Sequence, residues 1–399
     1  MPVSWPPLSW PSMMPPWPRD WITGEQLNLI LLPKNPSMSS PSTPGTPVIG
    51  ILGGGQLGRM LAVSASQLGL RTHVFSPEPF PVAGQVANST TQAEYSDAEA
   101  LRGFAESVDV ITYEFENIPS ASIEGLESQC EVLPPRRALS TSQDRLTEKN
   151  FLTALGLDVA PYANIETEQD LEAAVSRIGM PAMLKTRSFG YDGKGQVRLT
   201  HGNEARDAWR SLGDVPCVLE RLIHFTCEVS VIAARSRSGQ IVCFDPGENV
   251  HRDGILRTTT VPSPTISDDL RERLKELAGT IVGALSYVGV MGIETFITDT
   301  DGVLINEIAP RVHNSGHWTQ DGCIVDQFEQ HIRAIAGYPL GSGARHSDVV
   351  MTNLIGDDIA AAEGLLSAPD VSLHLYGKAD IRPGRKMGHV NRISARRAR

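Results

Sequence analysis

Cysteines, aromatic residues and long apolar runs are all scarce in this sequence of 399 residues. Its five cysteines are odd in number and scattered, and none forms a C-x-x-C pair, so we expect free thiols in a reducing compartment and no zinc site. No apolar run is long enough to span a bilayer, and no membrane partner is expected. The 35 Lys and Arg residues are outnumbered by 46 Asp and Glu residues, and the net charge of −11 disfavours a general binder of nucleic acid or anionic membranes.

Residues 1–47 have a composition of their own, with 12 of the 28 prolines and four of the six tryptophans. They show neither helical nor strand periodicity, and no basic start precedes an apolar core, so they do not resemble a secretory signal. We interpret them as a disordered extension that an early start codon would explain. A short tryptophan-based partner motif is the alternative.

An open α/β domain is predicted for 48–140. The buried-strand run VIGIL at 48–52 leads into the turn GGGQLG at 53–58, which opens a helix. This G-x-G-x-x-G spacing, with Glu78 near the place of a ribose-binding acid, is a weak indication of a dinucleotide site. The backbone N–H groups at the helix start could hold a phosphate. The run DVITYEFE at 109–116 predicts another strand that ends in acids.

A glycine-rich loop follows later. Helical spacing at 142–155 precedes the short strand MPAMLK, which ends in Lys185, and TRSFGYDGKGQ follows at 186–196. Glycines let the backbone approach phosphates and lysines such as Lys194 neutralise them, so we predict a flexible phosphate cover. A surface hairpin is the alternative, and the lack of G-K-[ST] excludes a Walker P-loop.

Two further strands are predicted at 218–223 and 228–236. Glu220 is followed by apolar residues, which suits a strand beside an adenine ring. Glu228 and His251 stand near strand ends, where either residue alone is more often structural or solvated than functional.

The densest group of polar residues follows a predicted hairpin. The runs GVMGIETFITD and GVLINEIAP are joined by Asp-Thr-Asp-Gly at 299–302, a turn signal. Strand alternation lets Glu294 and Glu307 face the same way from neighbouring strands. Two facing carboxylates repel unless a cation lies between them, and such oxygens suit Mg²⁺. Acids that simply face water are the alternative, which the Arg, His and Asn residues of the following RVHNSGH run disfavour.

The order of these features resembles the ATP-grasp fold. Within that superfamily the sequence closely resembles the N5-carboxyaminoimidazole ribonucleotide synthetases of bacterial purine biosynthesis, through the strings GGGQLGRM, YDGKGQ, HRDGILR, INEIAPRVHNSGHWT and RPGRKMGH. The resemblance runs from Val48 to about Arg392. It implies, after the extension 1–47, a Rossmann-like substrate domain at 48–140, an ATP-grasp domain of two subdomains at 141–340 and a small C-terminal domain at 341–399. Because relatives continue with a further helix, the last domain is expected to be truncated and weakly stable.

The resemblance also implies a reaction and its ligands. ATP, bicarbonate and 5-aminoimidazole ribonucleotide would give ADP, phosphate and the N5-carboxylated nucleotide through carboxyphosphate. The expected cofactors are ATP and Mg²⁺, and the expected assembly is a cytoplasmic homodimer of the stand-alone form.

Site residues are implied by the same motifs. Glu294 and Glu307 would hold Mg²⁺. The expected catalytic residues are Asp192, which would handle the amine proton, and Arg311, His313 and Asn314, which would bind bicarbonate or carboxyphosphate. The residues expected at ATP are Arg145, Lys185, Gly190, Tyr191, Asp192, Gly193, Lys194, Gly195, Gln196, Glu220, Arg221, Leu222, Ile223, Glu228, His251, Asn306 and Glu307. The residues expected at the ribonucleotide are Gly55, Gln56, Glu114, Tyr191, Lys378 and Arg385, of which the last two would grip its phosphate.

Three alternatives stay open. The nearest is another ATP-grasp ligase for a different carboxylate and amine, which the terminal RPGRKMGH disfavours. A nicotinamide-dependent dehydrogenase would rest on the G-x-G-x-x-G turn and Glu78, but it leaves the acidic hairpin unexplained. A non-catalytic ATP-binding regulator is the third, and the full set of expected site residues disfavours it.

Overall fold

The computed structural model describes residues 46–188 and 195–396. The strands are β1 (Val48–Leu52), β2 (Arg71–Ser76), β3 (Ser89–Gln92), β4 (Val110–Tyr113), β5 (Tyr162–Ile165), β6 (Ala182–Thr186), β7 (Gln196–Leu199), β8 (Cys217–Arg221), β9 (Cys227–Arg235), β10 (Ile241–Cys243), β11 (Gly247–Arg252), β12 (Ile255–Val261), β13 (Gly289–Ile297), β14 (Val303–Ala309), β15 (Ser347–Ile355), β16 (Val371–Leu375) and β17 (Lys386–Ala395). The helices are α1 (Gln56–Gln67), α2 (Ala98–Glu106), α3 (Ser120–Glu127), α4 (Arg136–Ser142), α5 (Arg145–Ala154), α6 (Glu168–Ile178), α7 (Ala205–Ser211), α8 (Asp268–Ala284), α9 (Thr319–Gly322), α10 (Gln327–Ala336) and α11 (Ala362–Leu365). Short 3₁₀ turns lie at Val82–Gln85, Gly202–Glu204, Asn314–Gly316 and Gly356–Ala361.

The first sheet is parallel, with the strand order β3-β2-β1-β4. Parallel neighbours need a crossover connection, and α1 provides it between β1 and β2. Both faces of β1 are covered, because Ile49 and Ile51 pack in one apolar cluster and Leu52 in another. The predicted open α/β arrangement is confirmed.

The second sheet is antiparallel, with the order β5-β8-β6-β7. Helices α6 and α7 cover it through buried side chains such as Leu171 and Trp209. Strand β6 carries Lys185 and its neighbour β8 carries Glu220, so the sheet brings two predicted site residues together.

The remaining strands form a large antiparallel sheet. Its strand order is β14-β13-β9-β11-β12-β15-β17-β16, and β10 pairs with β9. Helix α8 packs on this sheet through Leu270, Leu274 and Ile281. Helix α10 packs through Phe328 and Ile332 in a cluster that also contains residues of α1. The N-terminal sheet and the large sheet therefore share a core.

The C-terminal strands join the large sheet and do not stand apart from it. Strand β15 pairs with β12, and β17 pairs with both β15 and β16. Strand pairing is thus continuous across residue 340, and the predicted domain boundaries and C-terminal truncation stay predictions. Among the described residues, no helix is long and apolar enough to cross a membrane.

The helix predicted at 142–155 was wrong at its start. Ser142 is the last residue of α4, and a new helix, α5, begins at Arg145. Asp144 caps α5, because its side chain accepts a hydrogen bond from the Thr147 N–H at 2.8 Å. The apolar spacing runs across this break, which is why periodicity alone did not reveal it.

Candidate active site

A cleft of about 790 Å³ is lined by residues of the two antiparallel sheets and by residues that follow β1 and β4 of the parallel sheet. The predicted site residues that line it are Gly55, Gln56, Glu114, Arg145, Lys185, Gln196, Glu220, Arg221, Leu222, Ile223, Glu228, His251, Glu294, Asn306, Glu307, Arg311, His313 and Asn314. Gly195, Lys378 and Arg385 are described but do not line the cleft. The predicted residues Gly190, Tyr191, Asp192, Gly193 and Lys194 lie outside the described residues.

The acidic hairpin has the predicted geometry. Glu294 on β13 and Glu307 on β14 are direct partners in the antiparallel ladder. Burial, followed by the nearby Glu307 carboxylate, raises the pKa of Glu294 to about 7. Such a pair fits Mg²⁺, with the Asn306 amide next to Glu307 on β14. Among the described residues no group of three or more His, Cys, Asp or Glu side chains could hold a metal ion, so phosphate oxygens and water would complete its shell.

Glu220 is the centre of a buried ion-pair cluster. Its Oε2 lies 3.0 Å from Lys185 Nζ and its Oε1 lies 3.3 Å from Lys149 Nζ. Burial opposes ionisation of Glu220, but these two ammonium groups lower its pKa below the ordinary value. Both carboxylate oxygens of Glu220 thus pair with lysines. The predicted contact of Glu220 with adenine would therefore come from its backbone.

Glu228 and His251, predicted for ribose and phosphate, face each other from β9 and β11. His251 Nδ1 is in contact with Glu228 Oε2. Burial opposes protonation, yet the Glu228 carboxylate raises the pKa of His251 above its ordinary value. Each side chain alone was ambiguous in sequence, and their contact in the cleft favours a functional role.

Three polar residues that follow β14, namely Arg311, His313 and Asn314, form a polar wall of the cleft. Arg311 makes a two-point contact with Glu116, with Nη2 at 2.9 Å from Oε1 and Nε in contact with Oε2. Two nitrogens of the Arg311 guanidinium are thus engaged by a carboxylate, while Arg311 also lines the cleft. Asn314 exchanges two amide hydrogen bonds with Asn353, at 2.9 and 2.7 Å. Burial, followed by Arg311, holds the pKa of His313 well below its ordinary value.

The glycine turn before α1 encloses the carboxylate of Glu114. Glu114 accepts hydrogen bonds from the Gly58 N–H, at 2.6 Å, and from the Gly55 N–H. A Cβ on Gly53 would lie 2.2 Å from Glu114 Cγ, and one on Gly55 would lie 2.7 Å from Glu114 Oε1. Gly53 and Gly55 therefore leave the space that Glu114 fills. The N–H groups of Gly55 and Gly58 at this helix start thus have Glu114 as their partner, and the phosphate expected here stays a prediction.

The basic C-terminal turn lies near the N-terminal sheet. Lys378 donates to the Lys386 carbonyl at 2.9 Å, and Gln85 donates to the Gly377 carbonyl at 3.1 Å. Burial, followed by the charge of Arg385, lowers the pKa of Lys378 to about 8. Lys386 lines the cleft, whereas Arg385 donates to the Asp380 carbonyl outside it.

Sequence reasoning missed several cleft residues. They are Glu116, Asn117, Gln143, Glu148, Arg187, Phe225, Phe296 and Lys386. Glu148 is 2% exposed and accepts from the Ile308 N–H at 2.8 Å, and burial followed by Glu307 raises its pKa to about 8. For Lys386 a signal existed, since it stands beside Arg385 in the basic run RPGRKMGH. For Glu116 and Glu148 the contacts are too distant in sequence for any local pattern.

A parallel α/β sheet, a small antiparallel sheet with a buried lysine and a large sheet with paired carboxylates, all around one cleft, define an ATP-grasp protein. The chain matches the ribonucleotide synthetase preATP-grasp domain at 47–143, the ATP-grasp domain at 150–328 and the phosphoribosylaminoimidazole carboxylase C-terminal domain at 349–399.

Relatives that match along most of their length identify the family within the ATP-grasp class. The chain is 50% identical over 355 residues to the N5-carboxyaminoimidazole ribonucleotide synthase of Brucella melitensis, covering 88% of this chain and 98% of that relative. The synthetase structure from Thermus thermophilus has a TM-score of 0.82 and 42% identity, over 87% of this chain and 93% of that one. The Aspergillus clavatus synthase in complex with ADP and 5-aminoimidazole ribonucleotide has a TM-score of 0.83 and 32% identity, over 88% and 94%. The chain belongs to the N5-carboxyaminoimidazole ribonucleotide synthetase family, which confirms the predicted resemblance and fold class.

Proposed function

We propose that this chain uses ATP to carboxylate 5-aminoimidazole ribonucleotide with bicarbonate. The observation that carries the proposal is the shared cleft: the paired carboxylates of β13 and β14 lie in the same cavity as the polar wall of Arg311, His313 and Asn314. Family membership supports the same activity, because the Aspergillus relative is named as a complex with ADP and the aminoimidazole nucleotide.

The reaction has two stages. A bicarbonate oxygen attacks the γ-phosphorus of ATP, the bond to ADP breaks, and carboxyphosphate forms. Carboxyphosphate then releases phosphate and CO₂, and the nucleotide amine attacks that carbon and loses a proton. Bicarbonate is a poor electrophile, so the protein must position these groups and exclude water from the cleft. We propose Asp192 for the amine proton.

At the ATP end, we propose that Arg145 and Lys185 bind phosphate oxygens and that Glu294 and Glu307 hold Mg²⁺. Arg145 Nη1 lies 3.4 Å from Glu307 Oε2, beside a proposed Mg²⁺ ligand, which supports this assignment. Mg²⁺ bound there would neutralise charge on the phosphate oxygens. The apolar side chains of Leu222 and Ile223 are proposed to flank the adenine. The remaining predicted ATP contacts are proposed for Gly190, Tyr191, Gly193, Lys194, Gly195, Gln196, Glu220, Arg221, Glu228, His251 and Asn306.

At the other end, we propose that Gly55, Gln56, Glu114 and Tyr191 contact the ribonucleotide. Lys378 and Arg385 are proposed to bind its phosphate.

The phosphate proposal is tested with two arginines of one turn. Arg385→Ala should raise the KM for the ribonucleotide by about tenfold to a hundredfold, as expected for loss of one charge-assisted phosphate contact. Arg382→Ala, which removes a more exposed arginine paired with Asp380, should leave it unchanged. If Arg385→Ala raised the KM values for ATP and for the ribonucleotide equally, Arg385 would not be a specific ligand of the ribonucleotide phosphate.

The dehydrogenase alternative loses its main support, because Glu114 already occupies the amide groups that a dinucleotide phosphate would need. Titration with NADH should show no saturable binding.

We further propose a cytoplasmic homodimer. Resemblance to the family supports the dimer, and the unpaired state of all five cysteines supports the reducing compartment. Sedimentation equilibrium would test the dimer.

A further inference from the structure

His313 begins a short turn that fixes the orientation of its ring. It is the residue before the 3₁₀ turn Asn314–Gly316, and its Nδ1 accepts a hydrogen bond from the Ser315 backbone N–H at 3.4 Å. The same Nδ1 lies 2.8 Å from Ser315 Oγ. A backbone amide can only donate, so Nδ1 must be the unprotonated nitrogen of the neutral ring. The proton of His313 then lies on Nε2.

A buried chain of hydrogen bonds runs away from the ring and supports this assignment. Ser230 Oγ donates to Ser315 Oγ at 2.6 Å, Asn249 Nδ2 donates to Ser230 Oγ at 3.0 Å, and Thr259 Oγ1 donates to Asn249 Oδ1 at 2.8 Å. All four residues are buried. The Ser315 hydroxyl can therefore accept from Ser230 and donate its own proton to His313 Nδ1, as an unprotonated Nδ1 requires.

The backbone and ring of His313 are held from two further sides. Gln327 Oε1 accepts from the His313 N–H at 2.9 Å, and Gln327 Nε2 donates to the His313 carbonyl at 2.7 Å. A Cβ on Gly292 would lie 2.6 Å from His313 Cβ, so the glycine of β13 makes room for the histidine. The Nε2 edge is left facing the cleft, 3.6 Å from Glu294 Oε1.

We propose that Ser315 and Ser230 are positioning residues that hold His313 as its Nε2–H tautomer, so that it presents a hydrogen-bond donor to the cleft. His313 would then donate to an oxygen of the carboxylate-bearing anion and would not remove a proton there. The identity of that anion rests on the proposed function. The assignment of the tautomer rests only on the hydrogen bonds around His313.

The tautomer is measurable without turnover. In the full-length protein with ¹⁵N-labelled histidine, the His313 signal is identified by its loss in His313→Gln, and its shifts should show a proton on Nε2. Ser315→Ala and Ser230→Ala should each give a mixture of tautomers. Both substitutions should lower kcat on the order of tenfold, which is the usual effect of removing a residue that orients a functional histidine through a hydrogen bond. The KM for ATP should not change. The matched control is Ser236→Ala, a buried serine just after β9 that bonds Ser238 and lies outside the cleft lining.

The outcomes separate the two claims. A wild-type proton on Nδ1 would overturn the proposal, as would a folded Ser315→Ala or Ser230→Ala protein with the wild-type tautomer and kcat. Since Ser230 does not touch His313, its variant tests the chain even where Ser315→Ala fails to fold. An Nε2 proton in a protein without any bicarbonate-dependent ATP hydrolysis would uphold the tautomer and refute the proposed function instead.

Discussion

Glu294 and Glu307 oppose each other on neighbouring strands, at a separation where like charges destabilise a ladder. Glu294→Gln and Glu307→Gln should each lower ATP turnover on the order of a hundredfold or more at saturating Mg²⁺. A loss of this size is typical when one group that stabilises charge in an active site is removed. Without ligand, both variants should melt at the wild-type temperature or above it, because repulsion is removed. Steady-state kinetics and thermal melts would measure this.

The control for these variants is Glu131→Gln. Glu131 pairs with Arg237 with its side chain 49% exposed, so its loss should change neither property. Turnover within a few-fold of wild type in both hairpin variants would refute the metal assignment.

Glu148 gives the unliganded protein a pH dependence with a definite sign. Its folded pKa of about 8 lies above the ordinary value of 4.5, because of burial and then Glu307. The folded state therefore retains a proton that the unfolded state has lost, and this contribution to stability falls as pH rises from about 4.5 to about 8. Glu148→Gln should melt near the wild-type temperature at the acid end and several degrees above it at the alkaline end. A constant difference across the range would contradict this.

At the scale of elements, the turn from β1 into α1 depends on glycine because it encloses Glu114. Gly53 has φ +117 and no room for a Cβ, whereas Gly69 has φ +73 and nothing within 4 Å of a Cβ position. Gly69→Ala should cost about 1 kcal/mol for its backbone conformation alone. Gly53→Ala should cost roughly 3 kcal/mol or more, since the clash with Glu114 is added. Urea unfolding compares the two, and equal losses would show that Glu114 moves freely.

Local patterns predicted the elements but not the partners they acquire. The acidic hairpin was predictable because alternation and a turn signal fix which side chains share a face. The capping of α1 by Glu114 was not, because the Glu114 to Gly55 contact joins residues 59 apart in sequence. The pairing of Glu220 with Lys149 and Lys185 likewise needs β8, α5 and β6 to be assembled first. The glycine motif was therefore recognised from the sequence, whereas the Glu114 carboxylate that it encloses was not.

At the scale of the molecule, the large sheet should not be uniformly stable. Strand β13 is paired on both sides and almost fully buried, whereas β16, among the described strands, pairs only with β17 at the sheet edge and is half-buried. Hydrogen exchange should therefore be faster at 372–376 than at 293–297. Equal protection of the two segments would show that the C-terminal strands open only with the global core.

The central claim is that the cleft couples ATP cleavage to carboxylation of an aminoimidazole nucleotide. The most direct measurement is ADP formation by the full-length protein with Mg²⁺ and ATP, with the ribonucleotide and bicarbonate added separately and together, beside Glu307→Gln. We predict rapid ADP formation when both are present, matched by transfer of labelled bicarbonate to the nucleotide, and little in the variant. ADP formation that is indifferent to the ribonucleotide, or that occurs without labelled product, would contradict the account.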